Sequence, residues 1–199
     1  LLAARFSGED GAVLASRSNV VFVTPEYPRL LEAARSALTP ARAKAATADA
    51  LVRDVSLPST EMLVEDAEMR WSDFGESPRD WDFVRRQLET ARAYAFRLAA
   101  GEDPWKGRTG AFTKAYRSEV DGTLQPYALY VPPSYDAEKA WPMVVGLHGS
   151  GSNHLLHRRR LFGLGNASGE QDYDAIRTDS PYPDVGFIAI NVAEMDAAK

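Results

Sequence analysis

Met143-Val-Val-Gly-Leu-His148-Gly149-Ser150-Gly151-Ser152-Asn153 is the stretch on which the fold turns. Pro142 to Leu147 is a short continuous apolar run, the pattern of a strand buried on both faces. It leads straight into a turn of small residues. Such a turn exposes backbone N–H groups at the strand's carboxyl end, the edge where open α/β sheets bind ligands. Glycine there lets the backbone approach a substrate closely, and uncommitted N–H groups can stabilise an oxyanion during acyl transfer. An ordinary strand-to-helix connection uses the same residues, and spacing alone does not choose between the two.

Working outward, residues 154–162 read as a helix and Val185 to Val192 (VGFIAINV) as a second buried strand. Upstream, Phe112 to Glu119 and Leu124 to Val131 are strand-like around Asp121-Gly122, a strong hairpin signal. Hairpin, buried strand, helix, buried strand is the opening of an α/β sheet. The stretch GEDPWKGRTG, Gly101 to Gly110, has turn chemistry and marks a boundary. Residues 1–110 are expected to form a mainly helical region, and residues 111–199 the first strands of an α/β domain.

The clearest helix lies in the first part. Ser77 suits the cap, Pro78 the first helical position, and Asp80 the first turn. Trp81, Val84, Leu88, Ala91, Ala95 and Leu98 follow at spacings of three and four, and Gly101 is the expected terminator. Before it, Arg29 to about Val55 reads as helix broken at Thr39-Pro40, with Leu57-Pro58 as a stop. Asn19 to Val23 (NVVFV) reads as a short strand.

Ala115-Tyr-Arg-Ser-Glu-Val-Asp-Gly-Thr-Leu-Gln-Pro-Tyr-Ala-Leu-Tyr-Val-Pro-Pro-Ser-Tyr135, followed by Trp141-Pro-Met-Val-Val-Gly-Leu-His-Gly-Ser-Gly151, resembles the start of an α/β-hydrolase domain. The nearest types are prolyl-oligopeptidase-like esterases and the polyhydroxybutyrate-depolymerase or feruloyl-esterase-like group. The resemblance covers about residues 112–192, and residues 1–110 match no such pattern. It implies that Gly149 and Ser150 present oxyanion-hole N–H groups, and that Gly151, Ser152 and Asn153 line the mouth of the site. It also implies that His148 is structural, holding the turn by hydrogen bonding. The implied fold is the N-terminal part of an α/β-hydrolase sheet preceded by a mainly helical segment. The implied function is a serine hydrolase acting on ester bonds, a peptide substrate being the lesser expectation.

The sequence departs from that family at the catalytic residues. The family's nucleophile sits in a G-x-S-x-G elbow, and its triad runs Ser, Asp/Glu, His. No serine here has glycine at both −2 and +2; Ser150, Ser152, Ser168 and Ser180 all fail. The only histidines after His148 are His154 and His157, too early to close a triad. The chain alone is therefore not expected to be a competent hydrolase. The triad would come from a companion chain or a C-terminal segment, and the alternative is a non-catalytic interaction module with hydrolase-like architecture. Ending just past the 185–192 strand would expose an apolar sheet edge, which favours a piece that needs a partner. The start at Leu1, without methionine, fits either a removed leader or a boundary, with a secreted or periplasmic location slightly favoured.

Composition excludes other classes. The 199 residues are 45% hydrophobic and 26% charged, close to an average globular chain. The 23 basic and 28 acidic residues give a net charge of −5, without the basic excess of electrostatic nucleic-acid binding. With no cysteine, thiol nucleophiles and cysteine-ligated zinc are out. No apolar run approaches the roughly 18 residues of a membrane span. His154 and His157 lack a nearby carboxylate before Glu170, so no metal and no cofactor is expected, and a solvated or capping role is assigned to them. Arg158-Arg159-Arg160 reads as a solvated helix face, and Glu65-Asp66-Glu68 as surface charge. Trp71, Trp81, Trp105 and Trp141 are expected to be buried.

Overall fold

The computed structural model describes residues 2–7, 13–19, 24–74, 78–149, 152–165 and 182–192. Strands β1 (Leu2–Ser7) and β2 (Val13–Asn19) pair antiparallel as a separate two-stranded ladder, with a register shift between Phe6 and Ser7. The strand expected at 19–23 thus ends at Asn19 where it is described, and residues 20–23 lie outside the described residues.

Helix α1 spans Glu26–Ala45 and passes through Pro40, where a break was expected. A mid-helix proline removes one hydrogen bond and costs ~3 kcal/mol. Burial offsets that cost, because Ala34, Ala37, Leu38, Ala41 and Ala45 form one buried stripe. The chain then turns at 46–49. A π-helical turn, Val52–Ser56, runs without interruption into α2, Leu57–Phe74, so Leu57-Pro58 is no stop. In the widened turn the N–H of Leu57 reaches back to the carbonyl of Val52. Such a change of register accommodates Pro58, which has no N–H to give.

Helix α3, Pro78–Ala99, starts and ends where the spacing predicts, while the expected cap Ser77 lies outside the described residues. Val84, Leu88, Ala91 and Ala95 are fully buried and Leu98 nearly so. Gly101 has φ +84°, its N–H bonds Leu98 O at 2.9 Å, and the N–H of Glu102 bonds Arg97 O at 2.9 Å. That bond pair is the Schellman stop, available at no steric cost to glycine.

Strands β3 (Gly110–Arg117) and β4 (Leu124–Val131) form the expected hairpin, with Gly122 at φ +74° in the turn. Then come β5 (Met143–Leu147), α4 (His154–Leu161) and β6 (Ile188–Val192). The sheet order is β3-β4-β6-β5, with β6 antiparallel to β4 and parallel to β5. The architecture is mixed α/β. The last strand lies inside the sheet, so the open edge belongs to β5 rather than to the 185–192 strand. One core runs from Ala34 and Leu38 on α1 through Leu88 on α3 and Trp105 to Phe112, Ala115 and Val131 in the sheet, unbroken at residue 110. Helix α2 lies along β3, where the Ser59 hydroxyl accepts the N–H of Ala115 at 2.9 Å. That oxygen also lies 2.6 Å from Val55 O and 3.2 Å from Ala115 O.

Of the four tryptophans, Trp105 is buried, while Trp71, Trp81 and Trp141 are only partly so. Among the described residues, no helix is long and apolar enough to cross a membrane.

Candidate functional site

The site is built from the end of β5, the turn after it and the start of α4. Gly146 is set in register with Asn191 on β6. A Cβ at Gly146 would collide with Asn191 Oδ1 and come within 2.7 Å of the His157 ring, so the strand, β6 and α4 meet here only because residue 146 has no side chain. Asn191 is fully buried, and its Oδ1 accepts a hydrogen bond from His157 Nδ1 at 2.7 Å.

In the turn, His148 Nδ1 lies 3.1 Å from the carbonyl of Gly149. A carbonyl only accepts, so Nδ1 donates, and Nε2 is the ring nitrogen left over. Gly149 is exposed, and a Cβ placed on it meets nothing within 4 Å. Ser150 and Gly151 lie outside the described residues. The side-chain oxygen of Asn153 accepts from the N–H groups of Leu155 and Leu156 at 3.0 and 2.9 Å, capping α4. It is therefore committed to the helix while it stands at the mouth of the turn.

Three buried polar atoms in this corner have no hydrogen-bond partner among the described residues: His148 Nε2, Ser152 Oγ and Asn191 Nδ2. Native proteins leave few such atoms, since each costs about 1–3 kcal/mol. Beside them, the face of β5 turned away from α4 carries its apolar side chains into solvent. Met143 is 58% exposed, Val145 54% and Leu147 73%. The double burial expected of this strand does not occur, because nothing among the described residues packs over the face of Met143, Val145 and Leu147.

Two further sequence readings are corrected. His154 and His157 are neither solvated nor capping. Burial, then the charge of Arg158 and His148, holds His154 down to about 4, so it is neutral near pH 7 and a poor base. His157 is spent on Asn191. Nor is the arginine run a solvated face, since Arg158 and Arg159 are buried and only Arg160 is exposed. Arg158 Nη1 donates to the carbonyls of Phe112 and Leu129 at 3.1 and 3.3 Å, its Nε donates to the Tyr182 hydroxyl at 3.2 Å, and its guanidinium lies over the Tyr182 ring. These three bonds, from two nitrogens of one planar guanidinium, make the arginine a strut between helix and sheet.

Asp66 was read as surface charge, yet it lines a cavity between α2, α3, β3 and α4. Burial, and next Glu65, raises its pKa to about 6. The sequence did carry a signal for this position: Asp66 follows the buried Met62 and Leu63 at helical spacings of four and three, on their face of α2. Glu68 instead pairs with Arg35 near the surface. Among the described residues, no group of three or more His, Asp or Glu side chains is placed to hold a metal.

No family model, curated protein or solved structure matches the chain.

Proposed function

We propose that this chain supplies the oxyanion-hole side of a serine hydrolase acting on ester bonds, with the nucleophile, acid and base on a companion chain or further segment. The observation that carries the reading is the corner itself. A glycine turn with open space in front of Gly149 adjoins an unpaired apolar strand edge and three buried polar atoms lacking partners. An additional strand beside β5, with its following helix, would cover the apolar side chains and bring hydrogen-bonding groups to that corner. The turn between the third strand of the sheet and its first helix is also where α/β-hydrolases place an oxyanion N–H.

In this reading the N–H groups of Gly149 and Ser150 receive the negative charge that develops on the ester carbonyl oxygen. Such donors are worth about 10²–10³ in kcat. His148 holds the turn through Gly149 O, and Asn153 fixes the start of α4 behind it. Neither moves a proton.

Two measurements test this. Intact mass spectrometry of the native sample, run beside a fluorophosphonate label, should reveal a second labelled polypeptide. In that assembly Gly149→Val should lower esterase turnover by about a hundredfold or more while leaving the melting temperature unchanged, because its side chain meets open space. A single unlabelled 21.9 kDa species, or a Gly149→Val assembly of wild-type activity, overturns the assignment.

A further inference from the structure

A second cavity lies apart from the glycine turn, and none of the described residues 148–153 lines it. It occupies about 370 Å³, some twelve times the ~30 Å³ share of one water. Both parts of the chain build it. Helices α2 and α3 give Met62, Leu63, Asp66, Gln87 and Thr90, while β3 and α4 give Phe112 and Leu155.

Its charges are unevenly answered. Two arginines, Arg108 and Arg158, line the cavity and a third, Arg70, lies against the ring of Phe83 in its wall, each already engaged with a ring. Arg70 lies over Phe83 at 5.9 Å, and Arg108 over Trp105 and Phe112 at 5.4 and 5.0 Å while donating to the Tyr94 hydroxyl. Arg158 is bound to Phe112 O, Leu129 O and Tyr182. Asp66 has no such partner among the described residues, neither a hydrogen-bond donor nor a cation, although it is sunk in the wall. That leaves its carboxylate open to a ligand that brings a donor, on a wall it shares with Met62 and Leu63.

We propose that this cavity binds a small organic monocation, with its ammonium group against Asp66 and its apolar body among Met62, Leu63 and Leu155. The rings of Phe83, Trp105 and Phe112 already carry guanidinium groups, so recognition of the charge falls to Asp66 rather than to cation–π contact with them. The same arginines repel a second positive charge, which excludes polyamines. This site stands independently of the hydrolase reading.

The test is calorimetric titration of the purified chain with phenethylamine, 2-phenylethanol as its neutral counterpart, and spermine. At pH 8 phenethylamine should bind saturably, at least about tenfold more tightly than the alcohol, and spermine should not displace it. Moving to pH 5 protonates Asp66, and the preference should fall to near one. Glu65 is the neighbouring acid that also titrates, so Asp66→Asn separates the two: it should erase the preference at pH 8 as well. Equal affinity for amine and alcohol in the wild type, an unchanged preference in Asp66→Asn, displacement by spermine, or no saturable binding each overturns the proposal. The wild-type comparison of amine with alcohol decides even if the variant fails to fold.

Discussion

Val84, Leu88 and Ala91 on α3 and Met143, Val145 and Leu147 on β5 are side chains of the same chemical kind with opposite fates. The first three are fully buried, and the second three are more than half exposed. The helix completes its packing within the chain, against α1 and α2. Among the described residues the strand pairs with β6 alone, and it leaves one apolar face and an edge in solvent. Apolar pattern therefore states that a segment wants burial and says nothing of who provides it.

Three substitutions probe that contrast. Leu88→Ala should cost about 2–5 kcal/mol in urea denaturation, the range for truncating a fully buried leucine. A cost below about 1 kcal/mol would mean that the helical layer is loosely packed.

A second test falls on the charge buried beside the helical layer. Asp66 is raised from 3.8 to about 6, and His154 is lowered from 6.5 to about 4. The protonated Asp66 contributes stability that is full below pH 3.8 and lost as pH rises through 6. The neutral His154 contributes stability present above pH 6.5 and lost as pH falls through 4. The slopes oppose, so the wild-type profile should be nearly flat between them. Asp66→Asn removes only the first term. It should exceed the wild type by on the order of 2–3 kcal/mol above pH 6 and lose stability steeply on acidification. A variant no more stable than wild type at pH 8 would show that burial does not burden this carboxylate.

The smallest effect belongs to the strand. Val145→Lys should change the stability of the isolated chain by less than about 0.5 kcal/mol, as at other exposed positions. It should nevertheless block recovery of any companion polypeptide. A loss of more than about 2 kcal/mol in the isolated chain would mean that β5 is already covered in solution.

What could be read from the sequence was local. The α3 stripe and the Gly101 stop, the Asp121-Gly122 hairpin, and the strand, turn and helix around His148 each depend on neighbours within a few turns. What escaped depended on distant residues. Pro40 sits within a helix because alanines buried along α1 hold it there. Arg158 is internal because strand carbonyls and Tyr182, far away in sequence, draw it in. The insertion of β6 between β4 and β5 is a fact of strand order, which periodicity does not encode. At the candidate site, the turn and its glycines were visible. The close contact of Gly146 with Asn191 and His157 was not, because it joins three separate elements.

The hydroxyl of Ser59 on the N–H of Ala115 has a consequence for association. With α2 laid along β3, that margin of the sheet is closed to any incoming strand, whereas β5 remains free. Growth of the sheet therefore has a single direction. Joined through this sheet, two copies of the chain meet only at the β5 margin, which ends that assembly at a pair. A different chain docking at β5 could continue the sheet only by bringing a free margin of its own. Runaway edge-to-edge polymerisation, the usual hazard of an unprotected strand, is thus limited from the opposite side of the sheet, by one serine on a helix.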